Sequence, residues 1–346
     1  MDPSRRAVLG GAAGLFPTAL TIPGYAEAAD RFDSFTRNPR ARIGHAEVTA
    51  VTTMTTRLIG MDDQFGGRHA RPMAAAFLVN TVAPYLNAAA PPDVTRAMLS
   101  AAADHVYLTG WMAMDEREDG LAQRYFVKAL ELAAGAQDQP RYRRVLRGMS
   151  VHSIDQGHIA LAVRTANAAA QILPKADPRF AAFLSGQQAH VAAASGDKAG
   201  ALASMSRAEA AVERAEQEGD NTFGSYTPSA LRYHISEVRA HLGDLSGSIR
   251  EMEQAHRMRA TGLRRTRIRY NALLAERKLH AGRLEEACHS WHAVLDEYPY
   301  VQSGRCDDRF TAMVSALRPH RNNTGARLVL DRAREIQSGL RLDPPG

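Results

Sequence analysis

The sequence predicts an all-α protein built from stacked pairs of antiparallel helices, and three observations lead to this fold class. The apolar residues, 45% of 346, are mainly Ala and Leu with few β-branched or aromatic residues, which favours helix over sheet. A pattern of three small or apolar residues, the second four and the third seven positions after the first, recurs five times along the chain. Glycines precede these segments, where a helix has to end.

The predicted elements follow in chain order. The first helix pair is expected over residues 45–65 and 69–90, with Gly66 and Gly67 at its turn. The five recurring segments come next, and each is expected to be the second helix of a pair. Their pattern residues are Ala122, Phe126 and Ala129; Ala162, Ala166 and Ala169; Ala201, Met205 and Ala208; Ser248, Met252 and Ala255; and Ala287, Trp291 and Val294. The expected turn glycines are Gly120, Gly157, Gly196, Gly243 and Gly282. A last pair is expected over 309–317 and 326–337.

The spacing of this pattern is typical of tetratricopeptide repeats, in which small residues of the second helix face the first. Equivalent positions at 122, 162, 201, 248 and 287 lie 40, 39, 47 and 39 residues apart, more than the roughly 34 of the standard repeat. The longest interval contains a turn-rich stretch over 219–225, which predicts a sub-boundary near 219–226. We therefore expect a tetratricopeptide-like helical-hairpin solenoid over 45–346, a right-handed superhelix of about 6–7 helix pairs.

The first 44 residues differ in character from the rest. Arg5 and Arg6, an apolar stretch to Leu20 and the run Ala26-Glu27-Ala28 have the order of a twin-arginine export signal. Residues 1–29 are accordingly interpreted as such a signal or as a flexible leader, and residues 30–44 as a linker. The location of the protein stays open between the cytoplasm and export.

Several short segments resemble a known group of proteins. They are Asp62 to Pro72, Val82 to Leu86, Thr109 to Asp115 and Gly120 to Phe126. Together they resemble the tetratricopeptide-like carboxy-terminal half of actinobacterial regulators that begin with a Cro/C1-type helix-turn-helix. The resemblance implies a role in transcriptional, developmental or secondary-metabolism regulation. No helix-turn-helix is expected before residue 45, so this chain is not expected to read DNA by the usual route of that group.

A solenoid of this type is expected to bind partners along its concave face, which the first helix of each pair lines. Aromatic and Arg side chains at helical spacing on those helices suit a peptide, a small signalling molecule or a protein partner. The alternative for each residue is packing between helix pairs, above all for Trp111. The predicted groove residues are Asp104, Tyr107, Trp111, Arg144, Arg147, Phe183, His190, Tyr233, Glu237, Arg269 and Glu276.

Other sequence features are given a structural interpretation. Cys288 and His292 stand one helical turn apart, but Cys288 is expected to be a buried core residue rather than a zinc ligand. The Arg-rich stretch 256–269 could touch phosphates but is expected to be a solvated face. The sequence has no G-x-S-x-G, H-E-x-x-H or P-loop motif, and no cofactor, metal or catalytic residue is expected.

The sequence thus predicts a non-enzymatic regulatory or adaptor scaffold. Two alternatives stay open: an exported protein that binds a ligand or an envelope partner, and nucleic-acid binding through the arginines. No membrane span is expected. Homodimer formation and pairing of Cys288 with Cys306 are left open by the sequence.

Overall fold

The computed structural model describes residues 42–171, 177–217, 226–258 and 262–342. Every regular element within these ranges is helical. The helices, in chain order, are α1 (His45–Phe65), α2 (Gly67–Phe77), α3 (Pro92–Asp115), α4 (Asp119–Gly135), α5 (Gln139–Asp155), α6 (Ile159–Ala169), α7 (Pro178–Ala194), α8 (Lys198–Gln217), α9 (Pro228–His241), α10 (Leu245–Arg257), α11 (Arg264–His280), α12 (Leu284–Glu297), α13 (Gly304–Leu317) and α14 (Thr324–Leu342). A π-helical turn, Leu78–Val82, and a short helix, Ala83–Leu86, continue α2.

Helices α3 to α12 pack in pairs, each with its neighbour in sequence, whereas α14 packs mainly against α12. The most extensive contacts join α3 to α4, α5 to α6, α7 to α8, α9 to α10 and α11 to α12. Odd-numbered helices also contact one another in succession, α1 with α3, α3 with α5, α5 with α7, and α7 with α9. The fold class predicted at its coarser level, an all-helical array of packed helix pairs, is therefore confirmed.

The recurring pattern coincides with the inter-helix contacts. All fifteen of its residues, from Ala122 to Val294, are at most 6% exposed, so small side chains let the paired helices approach closely. Four turn glycines adopt the left-handed backbone that the pattern demands, with φ of 76° at Gly157, 84° at Gly196, 87° at Gly243 and 74° at Gly282. Each stands five positions before its pattern's first residue.

The expected turn at Gly120 is wrong. Five positions before Ala122 stands Arg117, which has φ of 70°, while Gly120 lies in the first turn of α4. A non-glycine residue therefore takes the left-handed position in this pair, and backbone bonds from Arg117 and Glu118 to the end of α3 hold it there.

Helix boundaries agree with expectation at α1 and differ at the carboxy-terminal pair. Helix α13 begins at Gly304 rather than residue 309, because the Ser303 hydroxyl accepts the Cys306 N–H at 3.2 Å. Helix α14 begins at Thr324 rather than residue 326, because Asn323 accepts the Ala326 N–H at 3.1 Å. Side-chain caps thus lengthen both helices toward their amino ends.

The carboxy-terminal part of the chain returns to its first helix pair. Helix α11 contacts α1. The Gln302 N–H donates to the Phe65 carbonyl at 2.7 Å, and the Gln302 carbonyl accepts from Arg68 at 3.1 Å. Ser303 donates to Asp115 at 2.9 Å. We call this junction, formed by α1, the α1–α2 turn and the end of α3 with residues 265–308, the seam.

A buried arginine lies at the centre of the seam. Arg265, with 13% of its side chain exposed, contacts Asp62 at 2.7 Å, Asp63 at 3.2 Å and Asp115 at 3.3 Å. Burial opposes the charge of Arg265, but Asp62 and Asp115 raise its pKa above the ordinary value. Likewise, burial opposes the charge of Asp115, but Arg265 and the Gly67 N–H lower its pKa. The seam is thus held by a charge cluster in which one guanidinium contacts three carboxylates.

The expected boundaries fall partly on residues that the structure does not describe. The twin-arginine-like segment 1–29 and residues 30–41 lie outside the described residues, as does 218–225, which includes most of the predicted sub-boundary. At the end of the expected linker, Ile43 is 5% exposed and its N–H donates to the Ala89 carbonyl at 3.0 Å. Beside the expected sub-boundary, Tyr226 is 2% exposed and α7 packs directly against α9. None of the described helices is long and apolar enough to cross a bilayer.

Candidate functional site

The odd-numbered helices line two adjoining cavities that are partly open to solvent. The first cavity, about 240 Å³, lies between α1, α3 and α5, and the second, about 210 Å³, extends from α5 across α7 and α9 to α11. Phe183 of α7 lines both. Nine of the eleven predicted groove residues line these cavities: Asp104, Tyr107, Arg144 and Phe183 the first, and Trp111, Arg147, Phe183, His190, Tyr233 and Arg269 the second.

The first cavity has a polar rim that is already occupied by ion pairs. Asp104 accepts from Arg141 at 2.8 Å and lies 3.5 Å from Arg144. Thr52, Thr55 and Ile59 of α1 face these residues from the other side. Because the charges of this cavity compensate each other, a ligand there would meet hydroxyl groups and no net charge.

The second cavity has an aromatic wall. Tyr233 of α9 stacks on Tyr270 of α11 with ring centroids 4.7 Å apart. Phe183 of α7 meets Tyr226 edge-on at 6.3 Å, and Trp111 of α3 lies across from them. Trp111 also packs edge-on against Tyr107 and Phe126, so it is both a packing residue and part of the cavity lining.

A glycine makes room for this wall. A Cβ atom added at Gly186 of α7 would lie 2.2 Å from the Tyr226 hydroxyl, which no side chain could tolerate without movement. Tyr226 in turn hydrogen-bonds His234 Nδ1 at 2.7 Å. The close approach of helix α7 to the Tyr226 ring is therefore built into the sequence at Gly186.

Arg147 brings a positive charge into the second cavity without a carboxylate to balance it. Its guanidinium carbon lies 3.9 Å from the Phe183 ring centroid, and its Nε is inaccessible and has no hydrogen-bond partner. No carboxylate of the described residues pairs with Arg147. Burial lowers the pKa of Arg147, but the ordinary value of arginine is so high that the group stays charged at neutral pH.

The other charged residues of the cavity also leave an excess of positive charge. Arg305 of α13 pairs with Asp155 at 2.5 Å, so these two charges compensate. Arg269 lines the cavity and makes no ion pair with any described carboxylate. The lining therefore carries two uncompensated arginines, Arg147 and Arg269.

Neutral phenol groups surround this charge. Burial raises the pKa of Tyr107, Tyr226 and Tyr233 above the ordinary value of tyrosine, so these phenols keep their protons at neutral pH. Burial also lowers the pKa of His190 and His234, which keeps both imidazoles neutral. Uncompensated guanidinium groups beside hydroxyl donors form a setting that favours a bound anion.

Two predicted groove residues lie outside the cavity linings. Glu237 of α9 accepts from Arg277 at 2.5 Å and lies 3.7 Å from His190 Nε2. Glu276 of α11 pairs with Arg309 at 2.8 Å. Both carboxylates are engaged in ion pairs between helices.

Sequence reasoning missed several residues that line the second cavity. Tyr226 precedes α9, His234 and Tyr270 lie one residue after chosen positions, and Arg305 reaches the cavity from α13. Tyr270 directly follows the chosen Arg269, and adjacent residues of a helix do not share a face, so helical spacing did not select it. Arg305 could not be found in this way either, because it enters the cavity only through the seam.

The remaining candidates have structural surroundings. Cys288 and Cys306 are buried and are not paired with each other, and burial raises the pKa of both thiols. Within the Arg-rich stretch, Arg264 and Arg267 pair with Glu297, and Arg265 lies in the seam. These arginines are therefore not the fully solvated face that we expected.

Comparisons with known proteins add little to this geometry. No family model matches the chain, and no curated protein matches it. Among solved structures, it matches a circular tandem repeat protein with novel repeat topology and enhanced subunit contact surfaces, at 14% identity and a TM-score of 0.19. The match covers 84% of this chain and 62% of that protein. At this TM-score the likeness carries no argument about topology or ligand.

Proposed function

We propose that this chain is a non-enzymatic, tetratricopeptide-like receptor whose interior binds a small organic anion. The single observation that carries the proposal is the pair of uncompensated arginines, Arg147 and Arg269, in an aromatic cavity. An unpaired buried charge is costly, and a ligand with a carboxylate or phosphate group would supply the missing partner. The stacked tyrosines would hold a flat or apolar part of the same ligand.

The size of the cavities supports a small molecule over a peptide. A bound helix needs an open groove about 10 Å wide, whereas the predicted groove residues line two cavities of about 210 and 240 Å³. All eleven predicted groove residues are at least partly buried.

We further propose that occupancy of the interior regulates a protein partner. The odd-numbered helices from α1 to α13 contribute to the cavities, so a ligand that contacts several of them would favour one arrangement of the array. The resemblance to regulators supports a regulatory role, which rests on that resemblance alone. An exported ligand-binding protein is the alternative, and the same cavities would serve it.

Affinity selection from a cell extract tests the proposal. The full-length protein is incubated with the extract, separated from unbound material, and its bound small molecules and peptides are identified by mass spectrometry. We expect acidic small molecules to be retained by the wild type and lost from Arg147→Met. Arg250→Met, which changes an exposed arginine of α10, is the matched control and should retain them.

Two results would argue against this function. Retention of peptides alone would favour a scaffold with an open groove. Retention of the same acidic molecules by Arg147→Met would show that the cavity is not where they bind. The chain's capture of nucleic acid, weakened by salt, would instead favour the arginine-mediated alternative.

A further inference from the structure

Three metal-ligating side chains meet at one end of α7 and α9. His190 of α7, with Glu237 and His241 of α9, place their ligand atoms within 4.8 Å of one another. Glu237 and His241 stand four residues apart and so share one face of α9. This group lies beside the second cavity, because His190 is part of that cavity's lining.

We propose that His190, Glu237 and His241 form a binding site for a divalent transition-metal ion such as Zn²⁺. Two imidazole nitrogens and one carboxylate oxygen are a ligand set that zinc takes, with a fourth position open to water or a ligand. The expectation that the chain holds no metal is replaced by this proposal, which does not depend on the proposed anion receptor.

The distances suit such an ion after small movements. Ligand atoms on a tetrahedral zinc ion lie roughly 3.3–3.5 Å apart, given bonds of about 2.0–2.1 Å. His190 Nε2 and Glu237 Oε2 are 3.7 Å apart. A shift of a few tenths of an ångström brings both to one ion, and the exposed His241 side chain is free to swing toward it.

A neighbouring side chain, that of Arg277, orients the Glu237 carboxylate. Arg277 donates to Glu237 Oε1 at 2.5 Å, which orients the carboxylate and leaves Oε2 directed at His190. The positive charge of Arg277 opposes a second cation, so we expect micromolar rather than tighter affinity.

The exposed position of His241 gives the site an entrance. An ion can reach His241 from solvent and then engage Glu237 and His190, which lie deeper. Bound there, it would join α7 to α9.

Titration of the untagged, full-length, metal-free protein with ZnCl₂ and with CoCl₂ tests the site. We expect one ion per chain by calorimetry and, with Co²⁺, the visible absorption of a site with nitrogen and oxygen ligands. His241→Ala changes an exposed residue and should fold normally. It should weaken metal binding by at least about 10-fold, because even the loss of a residue that only hydrogen-bonds to a metal ligand weakens binding by about that factor.

His190→Ala is the second variant, and His158→Ala is the matched control, because His158 is an exposed histidine at the start of α6. Far-UV circular dichroism checks that each variant folds. Binding that both His241→Ala and His190→Ala keep at wild-type strength would overturn the site. So would the absence of stoichiometric binding in the wild type, or an equal loss in His158→Ala.

Discussion

The seam and the second cavity each contain a buried arginine, but the two arginines have opposite surroundings. Arg265 in the seam contacts Asp62, Asp63 and Asp115. Arg147 in the cavity lies over the Phe183 ring and has no carboxylate partner among the described residues. Stability alone favours pairing a buried charge or replacing it with an apolar residue, so the two regions serve different purposes.

The comparison indicates that Arg265 holds the array together, whereas the charge of Arg147 is available to a ligand. In the seam Arg265 has three carboxylate partners, and the cluster joins the first helix pair to α11. In the cavity Arg147 has no carboxylate partner among the described residues, and the wall is otherwise closely packed around Gly186 and Tyr226. A positive charge without a carboxylate partner, inside an otherwise well-packed region, is what we expect of a site that binds an anion.

The largest effect is expected from Arg265→Met. Removing the guanidinium leaves Asp62 and Asp115 buried without their cation, and we expect the free energy of unfolding to fall by about 3–5 kcal/mol. Urea denaturation followed by circular dichroism measures the change, with the exposed Arg250→Met as control. A loss no larger than that of the control would show that the seam does not hold the array.

A smaller effect is expected from Gly186→Ala. Alanine favours helices over glycine by about 1 kcal/mol, but the added Cβ would lie 2.2 Å from the Tyr226 hydroxyl. We expect a net destabilisation of about 1–3 kcal/mol from overpacking. Gly60→Ala in α1 is the control, since a Cβ there meets nothing within 4 Å, and it should stabilise. If both variants stabilise, the cavity wall is not packed as described.

The seam should also respond to pH through Asp62. Burial raises the pKa of Asp62 to about 7, whereas the value in an unfolded chain is about 3.9. Between these values the folded state keeps a proton that the unfolded state has released, so stability is highest at the acidic end and falls as pH rises toward 7. We expect a fall of about 1–3 kcal/mol attributable to this group.

Asp62→Asn should remove this dependence. Denaturation curves of the wild type and the variant between pH 5 and 8 measure it, with Asp331→Asn on α14 as control. Asp63, Asp115, Arg265 and Arg305 are the charged groups that surround Asp62, and all remain in the variant. Parallel pH profiles for wild type and Asp62→Asn would show that Asp62 does not titrate in this range.

The repeating pattern made much of the fold predictable. Residues such as Ala162, Ala201 and Ala287 lie where the small-residue register places them, because local helix spacing decides which side chains face a neighbouring helix. The turn before Ala122 was assigned to the wrong residue, because Arg117 takes a backbone conformation that usually selects glycine. Caps such as Ser303 lengthened helices beyond the apolar pattern that predicted them.

The site was predictable only in part. Nine of the eleven residues that helical spacing selected line the cavities, because residues on one face of the odd-numbered helices point the same way. Helical spacing could not show that the carboxy-terminal part of the chain contacts the first helix pair, since that junction depends on contacts such as Arg265 with Asp62, which are 203 residues apart in the chain. For the same reason Arg305 was missed, and the absence of a partner for Arg147 is visible only in three dimensions.

The most direct test of the account combines stability and binding in Arg147→Met. Because this variant replaces an uncompensated buried charge with an apolar side chain, we expect the ligand-free protein to be more stable than the wild type, by about 1 kcal/mol. We expect the same variant to retain none of the acidic small molecules that the wild type retains. A destabilised Arg147→Met protein that still retains those molecules would contradict the account, because Arg147 would then support the fold and not the ligand.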